Sequence, residues 1–312
     1  MVEMLLTVFS RKHIIRGYAM RKLLLGTTAL AAAATITANT ALADVTISGG
    51  YEFKYLSRSS TNSTLDGTSM AHGDTDMVVN FTNKTDSGLD LTFRYDITAF
   101  TADTGAMTSD EASLTIAGGF GKIVLGMDDD AADAYNIDEM DLPGEEPTAT
   151  MASSSISTSS SISSDDAMKV AYHLPAMGGL TAGVSHTDRG AAGGSDTTSY
   201  GAKYSMDAAG ASITLGYAAV QDENSTQDVD MENMGMKIVS GDISVIVSQG
   251  GYEASDEDRE NQGASIQYAM PNGMVLSAYT FKSEDDLDVG EEFTRSGAEI
   301  KYNIASGLDA FI

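Results

Sequence analysis

From Val45 onward the chain alternates apolar and polar residues with a period of two, and few folds accept that pattern for so long. Val45, Ile47, Tyr51, Phe53 and Tyr55 are interleaved with Thr46, Ser48, Glu52 and Lys54. Leu89, Leu91, Phe93, Tyr95 and Ile97 are interleaved with Asp90, Thr92, Arg94, Asp96 and Thr98, and Ile213, Leu215 and Tyr217 with Ser212, Thr214 and Gly216. Alternation of this length specifies strands with one apolar and one polar face. It marks fifteen of them: 45–56, 71–83, 88–100, 108–118, 121–127, 167–174, 179–187, 197–206, 210–220, 231–240, 242–252, 261–270, 273–282, 292–302 and 307–312. Most are about ten residues long, enough for a tilted strand to cross a bilayer.

The connections fall into two alternating sets. Short ones, such as Asp207-Ala208-Ala209-Gly210, Gly241-Asp242 and Pro271-Asn272-Gly273, carry the residues that tight turns require. Long ones are polar and acidic: 57–70, 101–107, 128–166, 188–196, 221–230, 253–260 and 283–291. Sorting of short turns to one end and long loops to the other is the asymmetry of outer-membrane barrels. A secreted β-rich adhesin or surface-layer protein is the alternative, but its strands would hold more Val, Ile and Leu. Here the polar faces are rich in Gly, Ser and Thr, which suits a hydrated lumen.

Ahead of the strands, Arg21-Lys22 precedes an apolar run from Leu23 that ends in Ala41-Leu42-Ala43, the form of a secretory signal peptide. The run is too short and too interrupted by Thr for a membrane-spanning helix. The reading is an upstream extension at 1–19, a signal peptide at 20–43 cleaved after Ala43, and a folded chain from 44 to 312. Without its leader the chain keeps 13 Lys and Arg against 44 Asp and Glu, a formal charge of −31. That charge repels nucleic acid and favours cations. The absence of Cys leaves no disulfide framework to look for in an exported protein.

Three stretches resemble Gram-negative porins of the general-diffusion type. Gly119-Phe120-Gly121-Lys122-Ile123-Val124-Leu125-Gly126 is similar to the family's turn and strand leading into the third external loop. Val170-Ala171-Tyr172-His173-Leu174-Pro175-Ala176-Met177-Gly178-Gly179-Leu180 is similar to the hairpin after that loop. The third is the export leader running directly into a Gly- and Tyr-bearing first strand. The resemblance implies an all-β, transmembrane antiparallel β-barrel of 16 strands, about fifteen of them present here. It also implies a third loop folded into the pore, a homotrimer, and an outer-membrane location in a Gram-negative bacterium. A final strand ending in an aromatic residue, usual in the family, is missing after Ile312, which reads as a truncation. The expected function is passive diffusion of small hydrophilic solutes, cations preferred, with outer-membrane lipid as surroundings.

The loop at 128–166 holds Asp128, Asp129, Asp130, Asp133, Asp138, Glu139, Asp141, Glu145 and Glu146 and no Lys or Arg. These are the expected acidic constriction. Asp128, Asp130 and Asp133 are the residues from which a Ca²⁺ site would be built, with a solvated acidic loop as the alternative. Parity turns Glu52, Lys54, Arg94 and Asp96 to the polar face, because a charge on the lipid face of a barrel costs about 2–4 kcal/mol at the midplane. Lys54 and Arg94 are then candidates for the basic side of the constriction, or else for ion pairs with loop carboxylates. Catalytic signatures are absent: His72, His173 and His186 have no metal-ligand partner nearby in sequence, and no nucleophile or phosphate-binding motif occurs.

Overall fold

A computed structural model describes residues 4–9, 43–58, 67–72, 76–101, 106–142, 167–188, 196–223, 228–255, 257–285 and 292–312. Almost every element is an antiparallel strand. The chain divides into two compact units, one of residues 1–15, 19–118 and 300–312, the other of 16–18 and 119–299.

The first unit holds β1 (Met4–Phe9), β2 (Asp44–Gly50), β3 (Phe53–Arg58), β4 (Gly67–His72), β5 (Asp76–Lys84), β6 (Asp90–Thr101), β7 (Ala106–Gly118) and the terminal β18 (Leu308–Phe311). β2 pairs with β5 and β3 with β4, so the first two expected strands are each present in two segments. β5, β6 and β7 continue as neighbours. Met4–Phe9, set aside in sequence as upstream extension, is a strand here and pairs with both β18 and β3.

The second unit is a meander of β8 (Gly121–Met127), β9 (Met168–His173), β10 (Leu180–Thr187), β11 (Asp196–Ala208), β12 (Ala211–Glu223), β13 (Asp228–Ser240), β14 (Ile243–Ala254), β15 (Glu257–Ala269) and β16 (Met274–Asp285). Each strand from β8 to β16 pairs with its chain neighbour. β17 (Glu292–Ala305) belongs to both residue ranges. All fifteen strands expected from alternation are therefore present. The β11–β12 turn is a two-residue connection in which Ala209 and Gly210 both take positive φ, the twist-compatible hairpin geometry.

The faces of the strands are inverted relative to a soluble protein. On β13 Met234 is 64% exposed while its neighbour Asn233 is 1% exposed. Tyr200 and Tyr204 on β11, Val247 on β14 and Ile266 on β15 are exposed, whereas Ser199, Ser248, Asn261 and Ser265 are buried. The first unit repeats the pattern, with Val45, Ile47, Phe81 and Phe93 outward and Asp96, Glu111 and Ser113 buried. Apolar side chains exposed in register over so many strands require an apolar solvent, and lipid supplies it.

The strands are longer than alternation suggested at their long-loop ends. Stretches assigned to loops are ladder: β12 continues to Glu223, β13 starts at Asp228, β14 continues to Ala254 and β15 starts at Glu257. The reason lies in the outward face, which changes from apolar to acidic there. The register sets Asp196 opposite Glu223 and Glu223 opposite Asp228, and likewise Asp230 opposite Glu253 and Glu253 opposite Asp258. Like charges directly opposite oppose pairing and belong in water, so these rows lie beyond the hydrocarbon. Alternation cannot register a strand with both faces wet.

The inversion is tested by charge placement. Leu215→Arg, on the outward face of β12, is expected to lower folding stability in lipid vesicles by about 2–4 kcal/mol. Thr214→Arg, one residue away on the opposite face, is expected to cost much less. Urea titration followed by circular dichroism reads both.

Candidate functional site

The segment after β8 does not run off the sheet. Residues 128–142 lie across the polar face of the second unit, with one 3-10 turn, Asp133–Tyr135, against β11 and β12 and another, Glu139–Asp141, against β14, β15 and β16. Hydroxyls of the strands hold its backbone. Ala131 N donates to Ser185 Oγ at 3.0 Å and Ala132 N to Ser199 Oγ at 3.2 Å. At the far end Gln267 Nε2 and Ser277 Oγ donate to Leu142 O at 2.6 and 3.4 Å. Between them Tyr135 Oη lies 2.8 Å from His173 Nδ1, and burial pushes the Tyr135 phenol up to about 12, so it stays a neutral hydroxyl.

The segment also has an apolar underside. Ala132 packs with Ala218 and Val220, and Ile137 with Leu142 and Ile246. Val220 and Ile246 are apolar residues at polar-face positions, and the loop is what they face.

The predicted acidic residues separate into two groups. Asp130, Asp133, Asp138 and Glu139 are buried. Lys169 of β9 is buried with Asp130, its Nζ 2.9 Å from Asp130 Oδ1, and it donates also to Asp128 O. Asp138 caps the second turn, accepting from Met140 N and from Asn136 Nδ2, both at 2.8 Å. Glu139 accepts from Ser248 Oγ at 3.2 Å. Asp128, Asp129 and Asp141 are half-buried. Glu145 and Glu146 lie outside the described residues.

Cations of the strands face this segment. Lys203 on β11 interacts electrostatically with Asp141, Asp133 and Asp138, and with Lys237 on β13. Arg295 on β17 stacks over the Tyr279 ring, 5.3 Å from its centroid, and directs Nη2 to Met140 Sδ at 3.4 Å. Lys169, Lys203, Lys237 and Arg295 were not singled out from sequence. All sit at polar-face parity in their strands, and that parity was the available signal.

Arg94, a candidate for the basic side of the constriction, makes ion pairs within the first unit with Asp96 at 2.6 Å and Glu111 at 2.9 Å. Glu111 sits two residues from Ser113, the register partner of Arg94, so the pair is a diagonal cross-strand contact that spacing in sequence does not reveal. Glu52 is buried, and the side chain of Lys54 lies outside the described part of the structure. Among the described residues the converging acidic group is Asp76, Asp96 and Asp110, with ligand oxygens within 4.8 Å of one another. Asp128, Asp130 and Asp133 do not form such a group, and Asp130 is paired with Lys169.

The Lys169–Asp130 pair is buried on both sides, so removing one partner strands the other. Asp130→Ala is expected to destabilise the fold by roughly 3 kcal/mol, and Asp130→Asn combined with Lys169→Met to recover much of that loss. Urea unfolding followed by circular dichroism is the measurement.

Comparisons with known proteins follow the same geometry. A family model described as Gram-negative porin matches residues 26–312. No curated protein sequence matches the chain. Among solved structures, a mutant of the Rh. blastica porin aligns with a TM-score of 0.64 at 13% identity, covering 86% of this chain and 98% of that one. A loop-deletion mutant of OmpT, an outer membrane protein of Vibrio cholerae, aligns with a TM-score of 0.62 at 13% identity over 86% and 97%. An anion-selective porin from Comamonas acidovorans aligns with a TM-score of 0.56 at 15% identity over 84% and 85%. These likenesses establish a porin β-barrel fold, and with the match over nearly all its length the chain belongs to the Gram-negative porin family.

Proposed function

We infer from membership of the family that the chain is an outer-membrane channel for passive diffusion. We propose further that it passes small hydrophilic solutes with a preference for cations, and that residues 128–142 form the constriction. The observation that carries this reading is the charge on that segment. Asp128, Asp129, Asp130, Asp133, Asp138, Glu139 and Asp141 stand on the polar face, against the cations Lys169, Lys203, Lys237 and Arg295. Carboxylates exceed cations, and an acidic ring in a pore favours cation entry. Side chains rather than the fold decide the sign, since the Comamonas porin with the same fold is anion-selective. In this reading Asp130 is a strut, because Lys169 neutralises it, while Asp128, Asp129 and Asp141 supply the field.

The same proposal includes export by a signal peptide cleaved after Ala43, insertion among outer-membrane lipids and assembly as a homotrimer. N-terminal sequencing of the mature protein is expected to begin at Asp44.

Purified chain added to a planar bilayer is expected to give stepwise conductance, with a reversal potential displaced toward cation permeation in a salt gradient. Asp128→Asn, Asp129→Asn and Asp141→Asn are each expected to reduce the cation-to-anion permeability ratio. A charge about 6 Å from a permeating ion in a water-like dielectric contributes roughly 0.7 kcal/mol, a factor of about three. A triple variant with an unchanged reversal potential would remove the loop from the selectivity mechanism.

A further inference from the structure

Five glycines occupy mid-strand positions beneath the loop: Gly183 on β10, Gly201 on β11, Gly216 on β12, Gly235 on β13 and Gly263 on β15. The register aligns them. Gly183 is opposite Gly201, Gly216 is opposite Gly235, and Gly235 and Gly263 both stand opposite Ser248. Glycine weakens a strand interior and needs a reason to be there. Backbone freedom is not the reason, because none of the five has a positive φ.

Close approach is. A β-carbon on Gly183 would lie 2.9 Å from Tyr135 Cε2, and one on Gly201 2.7 Å from Tyr135 Cβ. On Gly216 it would lie 2.9 Å from Ile137 Cδ1, on Gly235 2.6 Å from Ile137 Cβ, and on Gly263 2.7 Å from Glu139 Cδ. Carbon atoms in contact normally stay about 3.5–4.0 Å apart, so none of these positions admits a methyl while the loop stays where it is. Tyr135, Ile137 and Glu139 are every second residue of the segment. Each drops onto glycine in turn, leaving Asn136, Asp138 and Met140 between them.

We propose that these glycines are positioning residues that determine specificity in the channel: they set how deeply the acidic segment seats on the wall, and thereby the bore and the standing of Asp128, Asp129 and Asp141 in it. The proposal rests on the pore reading above. A side chain at any of the five lifts the loop from its track.

The chain has no cysteine, so Met140→Cys supplies a unique thiol beside the track. Its reaction rate with a charged methanethiosulfonate reagent, in folded protein in detergent, is the first readout, and single-channel conductance the second. Gly263→Ala and Gly235→Ala, each in the Met140→Cys background, are expected to raise the labelling rate about tenfold and to change conductance. Gly251→Ala is the control, since its β-carbon would meet nothing nearer than Arg259 O at 3.5 Å, and it is expected to change neither. In a Glu139→Ala/Ser248→Ala background, Gly263→Ala is expected to add nothing further, because the atoms it would meet, on Glu139 and Ser248 Oγ, are gone. Unchanged labelling and conductance in the folded single variants overturn the proposal. Where Gly263→Ala alone does not fold, recovery of folding in Gly263→Ala/Glu139→Ala/Ser248→Ala supports it and failure of that triple variant overturns it. Labelling requires no current, so wild-type protein that shows the expected labelling without channel steps loses the pore reading while the docking stands.

Discussion

Within the hydrocarbon of a bilayer there is no water to satisfy peptide groups, so each backbone N–H and C=O must find its partner inside the protein. The antiparallel ladders from β8 to β16 do this strand by strand. Everything else follows from that pairing. A paired strand has two faces, and when lipid takes one of them the apolar residues must go outward. The other face is left with Ser, Thr, Asn, Gly and charge. It cannot close on itself as a hydrophobic core would, and so it either holds water or is covered by something polar.

Residues 128–142 are that cover, and the way they are held shows what a polar interior demands. Hydroxyls of Ser185, Ser199 and Ser277 satisfy backbone atoms of the segment, the role that ladder partners play elsewhere. Small apolar contacts around Ala132 and Ile137 add burial without widening the gap between loop and wall. The buried Lys169–Asp130 pair contributes geometry more than net stability, because desolvating both charges offsets most of their attraction. Its effect is to fix where the segment leaves β8, with the glycines fixing where it lies afterwards.

The strands were legible because lipid enforces alternation, and Met234 beside Asn233 obeys it as strictly as Val45 beside Thr46. The long-loop ends were not legible. Once Glu223, Asp228 and Glu253 leave the hydrocarbon, nothing requires the outward face to be apolar, while the ladder itself continues. The site was half legible. The acidity of the loop was plain, but cross-strand neighbours are set by register, which sequence spacing does not contain, so the pairing of Arg94 with Glu111 was hidden. The clearest missed signals were defects in the alternation itself. Val220 and Ile246 are apolar where the pattern demands polar, and Gly201, Gly216 and Gly235 are empty where it allows a side chain. Both kinds of defect mark the track of the loop.

Burial divides the labour among the carboxylates of that loop. A carboxylate paired with a buried ammonium projects little field, since the two charges cancel beyond a distance comparable to their separation. Asp130 is in that position beside Lys169, and Asp141, Asp133 and Asp138 share the field of Lys203. Asp138 also spends its oxygens on capping the second turn. Asp128, Asp129 and Asp141 are half-buried, and in the proposed reading these are the acids that act on a passing ion. The proposed division is consistent in its physics: the buried acids hold the loop in place, and a held loop would give the half-buried ones a fixed position from which to select.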